Sequence, residues 1–338
     1  MMELFKLNLQ LFANTNLTTD TTSTTGNDLS AEMKTFYSDY LIDLADPELV
    51  HDQFGQKRPI PANGGKKIEF RKYDSLPKAT TALSEGVTPA GQKLNVSIVT
   101  ATVNQYGGYI ELSDVLLLTA IDNNLMEATK LLASQAGRTL DTITREVLNG
   151  GSNVMYAKGT GTSRSTLVGG AASDNNYLKV DDVRRAVRAL KKVNAPKING
   201  MYAGIINQDV AYDLMSDPDW KYPHQYVDTN NIYKNEIGEI AGVRFAETSE
   251  AKIFAKAGAS NRDVYSTLIM GADAYGVTEI TGGGLQHIVK QLGSAGTADP
   301  LNQRATAGWK AMKTAERLVE QYLIRIESTS TFNDQVAN

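Results

Sequence analysis

The amino-acid sequence predicts an α+β fold, in which helices and mainly antiparallel strands occupy separate stretches of the chain. One observation is a long stripe of apolar residues at steps of three and four between residues 113 and 147, typical of an amphipathic helix. Another is a pair of runs, residues 66–73 and 94–103, in which apolar and polar side chains alternate as in half-buried strands. A similar alternation over residues 318–328, preceded by a shorter run at 308–314, predicts a closing β-hairpin.

Composition limits the classes of function. Of the 338 residues, 41% are hydrophobic and 21% are charged, which is ordinary for a globular protein with a large core. The net charge of −4 does not supply the basic field that nucleic-acid-binding proteins usually show. The chain has no cysteine, which excludes disulfides, thiol nucleophiles and thiolate metal sites and is compatible with a reducing cytoplasm. No apolar run approaches the ~20 residues that span a bilayer, and we expect no membrane contact.

Residues 1–65 are predicted to form an N-terminal arm. Its apolar start is interrupted by Glu3, Lys6, Asn8 and Gln10, so it does not match the continuous apolar core of a signal peptide. Residues 14–30 are rich in threonine and have almost no apolar side chains to bury. We therefore expect residues 1–30 to be mobile until a partner holds them, and residues 31–50 to be helical.

Residues 66–104 are predicted to form an extended hairpin loop. The two alternating runs flank a long tip that contains Pro77, Gly86, Pro89 and Gly91. A loop of this length is unusual inside a compact domain unless it has a function.

The long helix is predicted to begin at Ser113 or Asp114 and to stop at Asn149-Gly150-Gly151. At 1.5 Å per residue it would be roughly 50 Å long. The polar residues 122–124 could split off a first short helix.

The charges of the hairpin and the long helix have opposite signs. Residues 66–97 contain six basic and three acidic side chains (+3), and residues 113–149 contain five acidic and three basic ones (−2). Such opposite charges would help one subunit find its neighbour. The candidate subunit-contact residues are Lys66, Lys67, Arg71, Lys72, Lys78, Glu85 and Lys93 on the hairpin and Asp122, Glu127, Asp141 and Glu146 on the helix.

The middle of the chain predicts a linker followed by further helices and strands. Residues 151–177 are rich in Gly, Ser and Thr and are interpreted as a flexible connection, since they lack the glycine spacing of a phosphate-binding loop. Residues 180–193 form a second amphipathic pattern whose basic face is interpreted as solvated rather than as a DNA-binding surface. A buried strand at 200–207 and a short helix at 208–215 follow.

No pattern indicates an enzyme. The three histidines, His51, His224 and His287, are far apart, lack the spacing of metal ligands and are expected at the surface or in turns. The G-x-S-x-G motif of serine hydrolases is absent. We therefore predict no catalytic, cofactor-binding or metal-binding residue.

Several short strings, in a fixed order, resemble the major capsid proteins of tailed bacteriophages. They are LNLQLFA at 7–13, the IGEIAG turn at 237–242, ADAYGVTEI at 272–280 and the closing strands. The resemblance implies the capsid fold shared by tailed-phage, herpesvirus and encapsulin shells. In that fold the chain divides into an N-arm (1–65), an extended loop, or E-loop (66–104), a peripheral domain with a spine helix (105–177), an axial domain (178–275) and the closing strands of the peripheral domain (276–338).

The resemblance also implies function and partners. The expected function is a major capsid protein that self-assembles, as hexamers and pentamers, into the icosahedral head shell around the double-stranded DNA of a tailed bacteriophage. The expected location is the virion capsid, assembled in the bacterial cytoplasm. A separate scaffolding protein and a portal are implied, with only weak, nonspecific contact to packaged DNA. Two alternatives stay open: an encapsulin-type nanocompartment shell and, from a different class, an unrelated enzyme or surface protein.

Overall fold

The structure is a computed structural model and describes residues 50–61, 63–73, 76–82, 85–86, 88, 90–119, 124–170, 174–220, 236–278, 281–294 and 299–333. The expectations for the arm before residue 50, including its mobile segment and its helix, lie outside these residues. No helix in the described ranges is both long enough and apolar enough to cross a membrane.

The described chain contains four α-helices and fourteen strands, which confirms the mixed helix-and-sheet class. The helices are α1 (Asp114–Thr119), α2 (Asn124–Asn149), α3 (Val180–Lys192) and α4 (Gln208–Ser216). The strands are β1 (Gln56–Lys57), β2 (Lys67–Tyr73), β3 (Val96–Thr102), β4 (Asn104–Ser113), β5 (Val154–Tyr156), β6 (Tyr202–Ile206), β7 (Glu236–Ile240), β8 (Val243–Glu247), β9 (Ile253–Phe254), β10 (Val264–Met270), β11 (Tyr275–Thr278), β12 (Gln286–Lys290), β13 (Arg304–Arg317) and β14 (Leu323–Ser328).

The first sheet has five strands and is organised around the 14-residue strand β13. β13 pairs antiparallel with β4 along ten residues, and its two halves pair with β12 and β11. Helix α2 packs on this sheet through a core of small and branched side chains. That core contains Leu132, Ala133, Ala136, Leu140, Ala307, Trp309 and Ala311.

Strand β4 was not predicted from the sequence. Its run contains Gly107 and Gly108, and glycine usually weakens a strand. Here the glycines allow close packing, because a Cβ on Gly107 would lie 2.6 Å from the Trp309 carbonyl oxygen and one on Gly108 would lie 2.7 Å from Gln135 Oε1.

The second sheet has seven strands in the order β5-β14-β10-β6-β8-β7, with β9 paired to β10. Helix α3 covers it as its apolar spacing predicts, since Val183, Val187 and Leu190 are buried. The predicted strand at 200–207 and helix at 208–215 are confirmed as β6 and α4.

The closing strands are not a hairpin, which corrects the sequence-based prediction. β13 lies in the first sheet and β14 in the second, and a 3₁₀ turn at Glu320–Tyr322 joins them. β14 is also buried along its whole length instead of on one face only. It lies between β5 and β10, and its buried Glu327 is paired with Arg164 and Arg325, so charged residues on that strand are neutralised rather than solvated.

The long helix is divided into two helices, as the polar residues 122–124 indicated that it could be. α1 ends at Thr119 and α2 begins at Asn124, while residues 120–123 lie outside the described ranges. With 26 residues, α2 extends about 39 Å, less than the length expected for an undivided helix.

The connection at 151–177 is not a flexible linker, a second correction. Among its described residues are strand β5, a 3₁₀ turn at Arg164–Thr166 and the buried Asn176. The Asn176 side chain accepts from the backbone N–H groups of Gly161 and Val168 and donates to two carbonyl oxygens. One buried amide thus orders the glycine-rich loop, which composition alone could not reveal.

Candidate subunit-contact surface

The predicted hairpin is present, and its two faces have different surroundings. β2 pairs antiparallel with β3, with Arg71 opposite Ile98 and Phe70 opposite Val99. Side chains of directly opposite residues share a face. Phe70 and Ala101, on the inner face, are buried, whereas Val96 and Ile98, on the outer face, are 45% and 54% exposed.

The inner face anchors the hairpin to the body of the protein. The Phe70 ring lies over Gly276 of β11, where a Cβ would approach Phe70 Cε1 to 2.7 Å. At the base, Val103 N donates to the Lys66 carbonyl at 2.9 Å. A two-stranded ribbon is only marginally stable by itself, so this anchor explains how the outer face can stay exposed.

The predicted contact residues on the hairpin lie at the surface wherever their side chains are described. These are Lys66, Lys67, Arg71, Lys78, Glu85 and Lys93. Arg71 is within 3.7 Å of Glu69 on the same exposed face, a weak solvated pair. The side chain of Lys72 lies outside the described part of the structure.

The predicted contact residues on the long helix are not equivalent to one another. Asp122 lies outside the described residues. Glu127 is exposed and paired with Lys130 at 2.8 Å. Asp141 is fully buried, with 0% exposure, and its carboxylate is occupied by His51. Asp141 is therefore not on the surface that a neighbouring subunit would meet, and it leaves the contact set.

Glu146 is half-exposed, but its carboxylate is bonded to cations of the same chain. Lys252 Nζ and Arg145 Nη2 both donate to Glu146 Oε1 at 2.9 Å. Partial burial raises the pKa of Glu146, but the hydrogen bonds and charges of Lys252 and Arg145 outweigh it, so the pKa lies below its usual value. Glu146 is thus an anion already compensated within the subunit.

His51 lies in a turn, one of the two places expected for the histidines, but it is buried there in a polar network. The Asp141 carboxylate accepts from His51 N at 2.8 Å and lies 2.6 Å from His51 Nδ1. The Tyr275 hydroxyl donates to the His51 carbonyl, and burial, together with the charge of Asp52, raises the pKa of Tyr275 well above its usual value. The network fixes residues 51–52 between α2 and β11.

Asp52 extends this network to β13. It accepts from Thr144 Oγ1 at 2.6 Å and is paired with Lys313, which also donates to the Leu140 carbonyl at 2.9 Å. Removing one partner of a buried charge pair leaves the other charge uncompensated. Sequence spacing gave no signal for these contacts, because the partners are about 90 to 260 residues apart.

The carboxyl end of α2 is held where the chain crosses between the two sheets. Arg317 Nη1 donates to the Val147 carbonyl at 2.7 Å, and Arg325 donates to the Asn149 carbonyl. These cations donate hydrogen bonds to carbonyl groups of the last turn, which have no partner within the helix because α2 ends there. The end of α2 thus joins β13 to β14.

Helix α1 presents an apolar surface that the sequence analysis did not single out. Leu116, Leu117 and Leu118 are 43%, 36% and 83% exposed, and Leu301 is 75% exposed. The backbone of α1 is nevertheless fixed, since Ser113 Oγ accepts from Leu116 N at 3.2 Å and Asp114 N donates to Gln303 O at 3.0 Å. The available signal was the run of four apolar residues in a six-residue helix, which cannot all face one core.

No metal or cofactor site emerges from the described residues. They contain no group of three or more His, Asp or Glu side chains that could hold an ion. His51 is buried against Asp141, His287 lies on the edge strand β12, and His224 lies outside the described ranges.

The comparisons with known proteins agree with this fold. A family model described as phage capsid protein matches residues 97–280. The capsid of Ralstonia phage GP4 superposes with a TM-score of 0.65 at 13% identity, covering 84% of this chain and 89% of that chain. The cyanophage Pam1 capsid gives 0.62 at 12% identity, covering 80% and 86%.

A third match is the head of Helicobacter pylori bacteriophage KHP40, with a TM-score of 0.55 at 11% identity over 81% of this chain and 87% of that one. No curated protein sequence matches the chain. At such identities the superpositions establish the fold, while the family model spans more than half of the sequence. The chain belongs to the phage capsid protein family.

Proposed function

We propose that this protein is a major capsid protein whose copies self-assemble into the icosahedral head shell around the double-stranded DNA genome of a tailed bacteriophage. The observation that carries the proposal is the family match over residues 97–280, and the fold shared with phage capsid subunits supports it. A protein that meets neighbours on several sides needs exposed surface of its own, and the hairpin and α1 supply it.

The parts of the capsid fold are assigned along the sequence. Residues 1–65 are the N-arm, 66–104 the E-loop, 105–177 the peripheral domain with α2 as spine helix, 178–275 the axial domain and 276–338 the closing strands. These divisions do not coincide with the sheets, because β5 and β14 pair in the sheet that holds the axial strands. Interleaved strands of this kind would make the two sheets fold together rather than as separate modules.

Contacts between subunits are assigned first to the hairpin. Its outer face carries the exposed Val96 and Ile98, with the exposed Arg71 directly opposite Ile98, a mixture of apolar and charged groups that suits a protein neighbour. Glu127 and Glu146 remain as helix-side candidates, although each is already paired within its own subunit. The other partners are a separate scaffolding protein and a portal.

Packaged DNA is assigned only weak contact. The exposed face of α3 is basic, but Arg184 is paired with Asp219 at 3.0 Å and Arg185 with Asp182 at 2.9 Å. Internal pairing reduces the number of cations that could neutralise phosphates. The proposed location is the virion capsid, assembled in the bacterial host cytoplasm, and no catalytic activity is assigned.

Negative-stain electron microscopy of protein purified from a bacterial expression host tests this function. We expect closed shells or ring-shaped capsomers, with the scaffolding protein supplied if the chain alone stops at capsomers. Shells that enclose an enzyme cargo instead of DNA would favour an encapsulin-type compartment. Dispersed monomers at every concentration, even with scaffold, would contradict the proposal.

A further inference from the structure

The chain contains three Asn-Gly dipeptides, at Asn63-Gly64, Asn149-Gly150 and Asn199-Gly200. An asparagine is chemically least stable before glycine, because glycine has no side chain to shield its backbone nitrogen from the asparagine amide. In a folded protein the reaction also requires that the glycine N–H is not hydrogen-bonded, that the amide can rotate and that water reaches both groups. The three dipeptides differ in these respects.

Asn149-Gly150, at the end of α2, is protected in every respect. Asn149 is 7% exposed, its Nδ2 donates to the Arg145 carbonyl at 2.8 Å, and its Oδ1 accepts from Ser266 Oγ. Gly150 N donates to the Glu146 carbonyl at 2.9 Å. The amide and the nitrogen that it would have to meet are thus held in separate hydrogen bonds.

Asn63-Gly64 is protected in part. Asn63 is exposed, so water reaches its amide. Gly64 N, however, donates to the Pro61 carbonyl at 2.9 Å, and a Cβ on Gly64 would lie 2.9 Å from the same oxygen. The glycine nitrogen can react only after this hydrogen bond breaks.

Asn199-Gly200 has neither kind of protection. Both residues are exposed, and their φ angles of 50° and 86° indicate a two-residue hairpin turn closed by backbone hydrogen bonds between Ile198 and Met201, at 2.8 and 3.0 Å. Among the described residues, no hydrogen bond involves Gly200 N or the Asn199 side chain. A Cβ on Gly200 would meet nothing within 4 Å. A turn with two positive φ angles favours Asn-Gly, and here it leaves the reactive groups uncovered.

The charges near the turn favour the same reaction. Lys197 precedes the turn, and Arg244 of β8 lines a cavity of about 70 Å³ together with Asn199. No acidic side chain from the described part of the chain lines this cavity. Attack by a backbone nitrogen develops negative charge, and neighbouring cations lower the free energy of such a charge.

We propose that Asn199 is a site of spontaneous covalent modification, at which its side-chain amide is converted to a carboxylate without an enzyme. Hydroxide removes the Gly200 N–H proton, and the nitrogen attacks Asn199 Cγ. The Cγ–Nδ2 bond breaks, ammonia leaves with a proton taken from water, and a five-membered succinimide remains. Water then opens one of the two carbonyl–nitrogen bonds of the ring, giving aspartate or isoaspartate.

The product changes the turn in two ways. Each converted chain gains one negative charge near Lys197 and Arg244. Isoaspartate also adds one carbon to the backbone of a two-residue turn, which should weaken the pairing of Ile198 with Met201. This inference goes beyond the shell function and does not depend on it.

Peptide mass spectrometry of the full chain tests the proposal. The protein is incubated in heavy-oxygen water at mildly alkaline pH, so that only conversions during the incubation carry the label, and circular dichroism confirms that it stays folded. We expect label at Asn199 and conversion at Asn63 that is slower by at least about fivefold, because the Gly64 N–H must first leave a backbone hydrogen bond. Asn149 should convert most slowly of the three.

The same incubation in guanidinium chloride separates structure from sequence, since all three sites are then the same unprotected dipeptide and should react at similar rates. Asn199→Gly provides a matched variant, because glycine accepts the positive φ angle and has no amide. On isoelectric focusing, the acidic band that the parent chain develops should be strongly reduced in this variant. Conversion at Asn199 no faster than at Asn63 in the folded protein would overturn the proposal. A ranking that persists in denaturant, or an undiminished acidic band in Asn199→Gly, would also overturn it.

Discussion

The buried network around His51 and the exposed hairpin show two opposite uses of side chains. Around His51, polar groups are brought into the interior and the described contacts satisfy most of them inside the same chain, as with Asp141, Asp52 and Lys313. On the hairpin and α1, apolar side chains that could fill a core are exposed, as with Ile98 and Leu118.

This difference separates folding from assembly. The network joins residues 51–52 to α2, β11 and β13, so its loss should lower the stability of the fold. The hairpin contributes few buried groups beyond Phe70 and Ala101 near its base. Its loss should therefore weaken self-association and leave the stability of the fold nearly unchanged. The following predictions test whether the two properties can be changed independently.

The largest expected effect is on assembly. Deletion of residues 77–90, the hairpin tip, should abolish shells and capsomers while the unfolding midpoint changes little, because the described tip residues are exposed and a shorter loop costs little entropy. Electron microscopy and urea unfolding measure the two properties. An unfolded deletion variant would mean that the tip belongs to the core.

Asp141→Ala should lower the free energy of unfolding by about 3 kcal/mol, because it removes the partner of a buried histidine. Glu127→Ala, on the same helix but exposed, should change it by less than about 0.5 kcal/mol and serves as control. Urea denaturation of the unassembled subunit measures both. Equal effects of the two substitutions would remove the distinction between the network and the surface.

A smaller effect concerns DNA. Gel-shift titration of the unassembled subunit should show weak binding that is independent of sequence and decreases steeply with salt. Replacing Arg188 and Lys192 on α3 by alanine should weaken DNA binding severalfold and equally for all sequences. The same replacement at Lys66 and Lys67 should weaken DNA binding less. A tight complex with one sequence at moderate salt would contradict the role of a container.

The smallest effect is a pH dependence at Glu320. Partial burial raises the pKa of this carboxylate, but the Ser152 and Asn153 backbone N–H groups and Arg317 outweigh it and hold the pKa below 4.5. Its stabilisation is therefore present above the unfolded-state value and is lost as pH falls through the lower folded-state pKa. Glu320→Gln should flatten the acid side of the stability curve, and Glu85→Gln, at an exposed position, should not.

The sequence predicted the elements whose signal is local. Apolar spacing located α2 and α3, and alternation located the hairpin, since both patterns arise within one element. It could not locate β4, whose Gly107 and Gly108 read as strand breakers until the approach of Trp309 is known. It also could not separate β13 from β14, because two neighbouring alternating runs are the usual signature of a hairpin.

The candidate contact residues show the same limit. Counting charges put Asp141 and Glu127 in the same set of contact candidates. Only the fold shows that Asp141 is buried against His51 and that Glu127 is exposed. The apolar surface of α1 is indicated in the sequence by a run of leucines, yet its exposure depends on how α1 packs against β4.

Sedimentation velocity of the purified chain over a wide range of concentrations measures self-association most directly. A shell subunit with an exposed hairpin and α1 should shift from a slow species to capsomers or closed shells as concentration rises, and the shift should be absent in the 77–90 deletion. A single compact monomer at all concentrations, with scaffolding protein supplied, would contradict the assignment of this chain as a self-assembling capsid subunit.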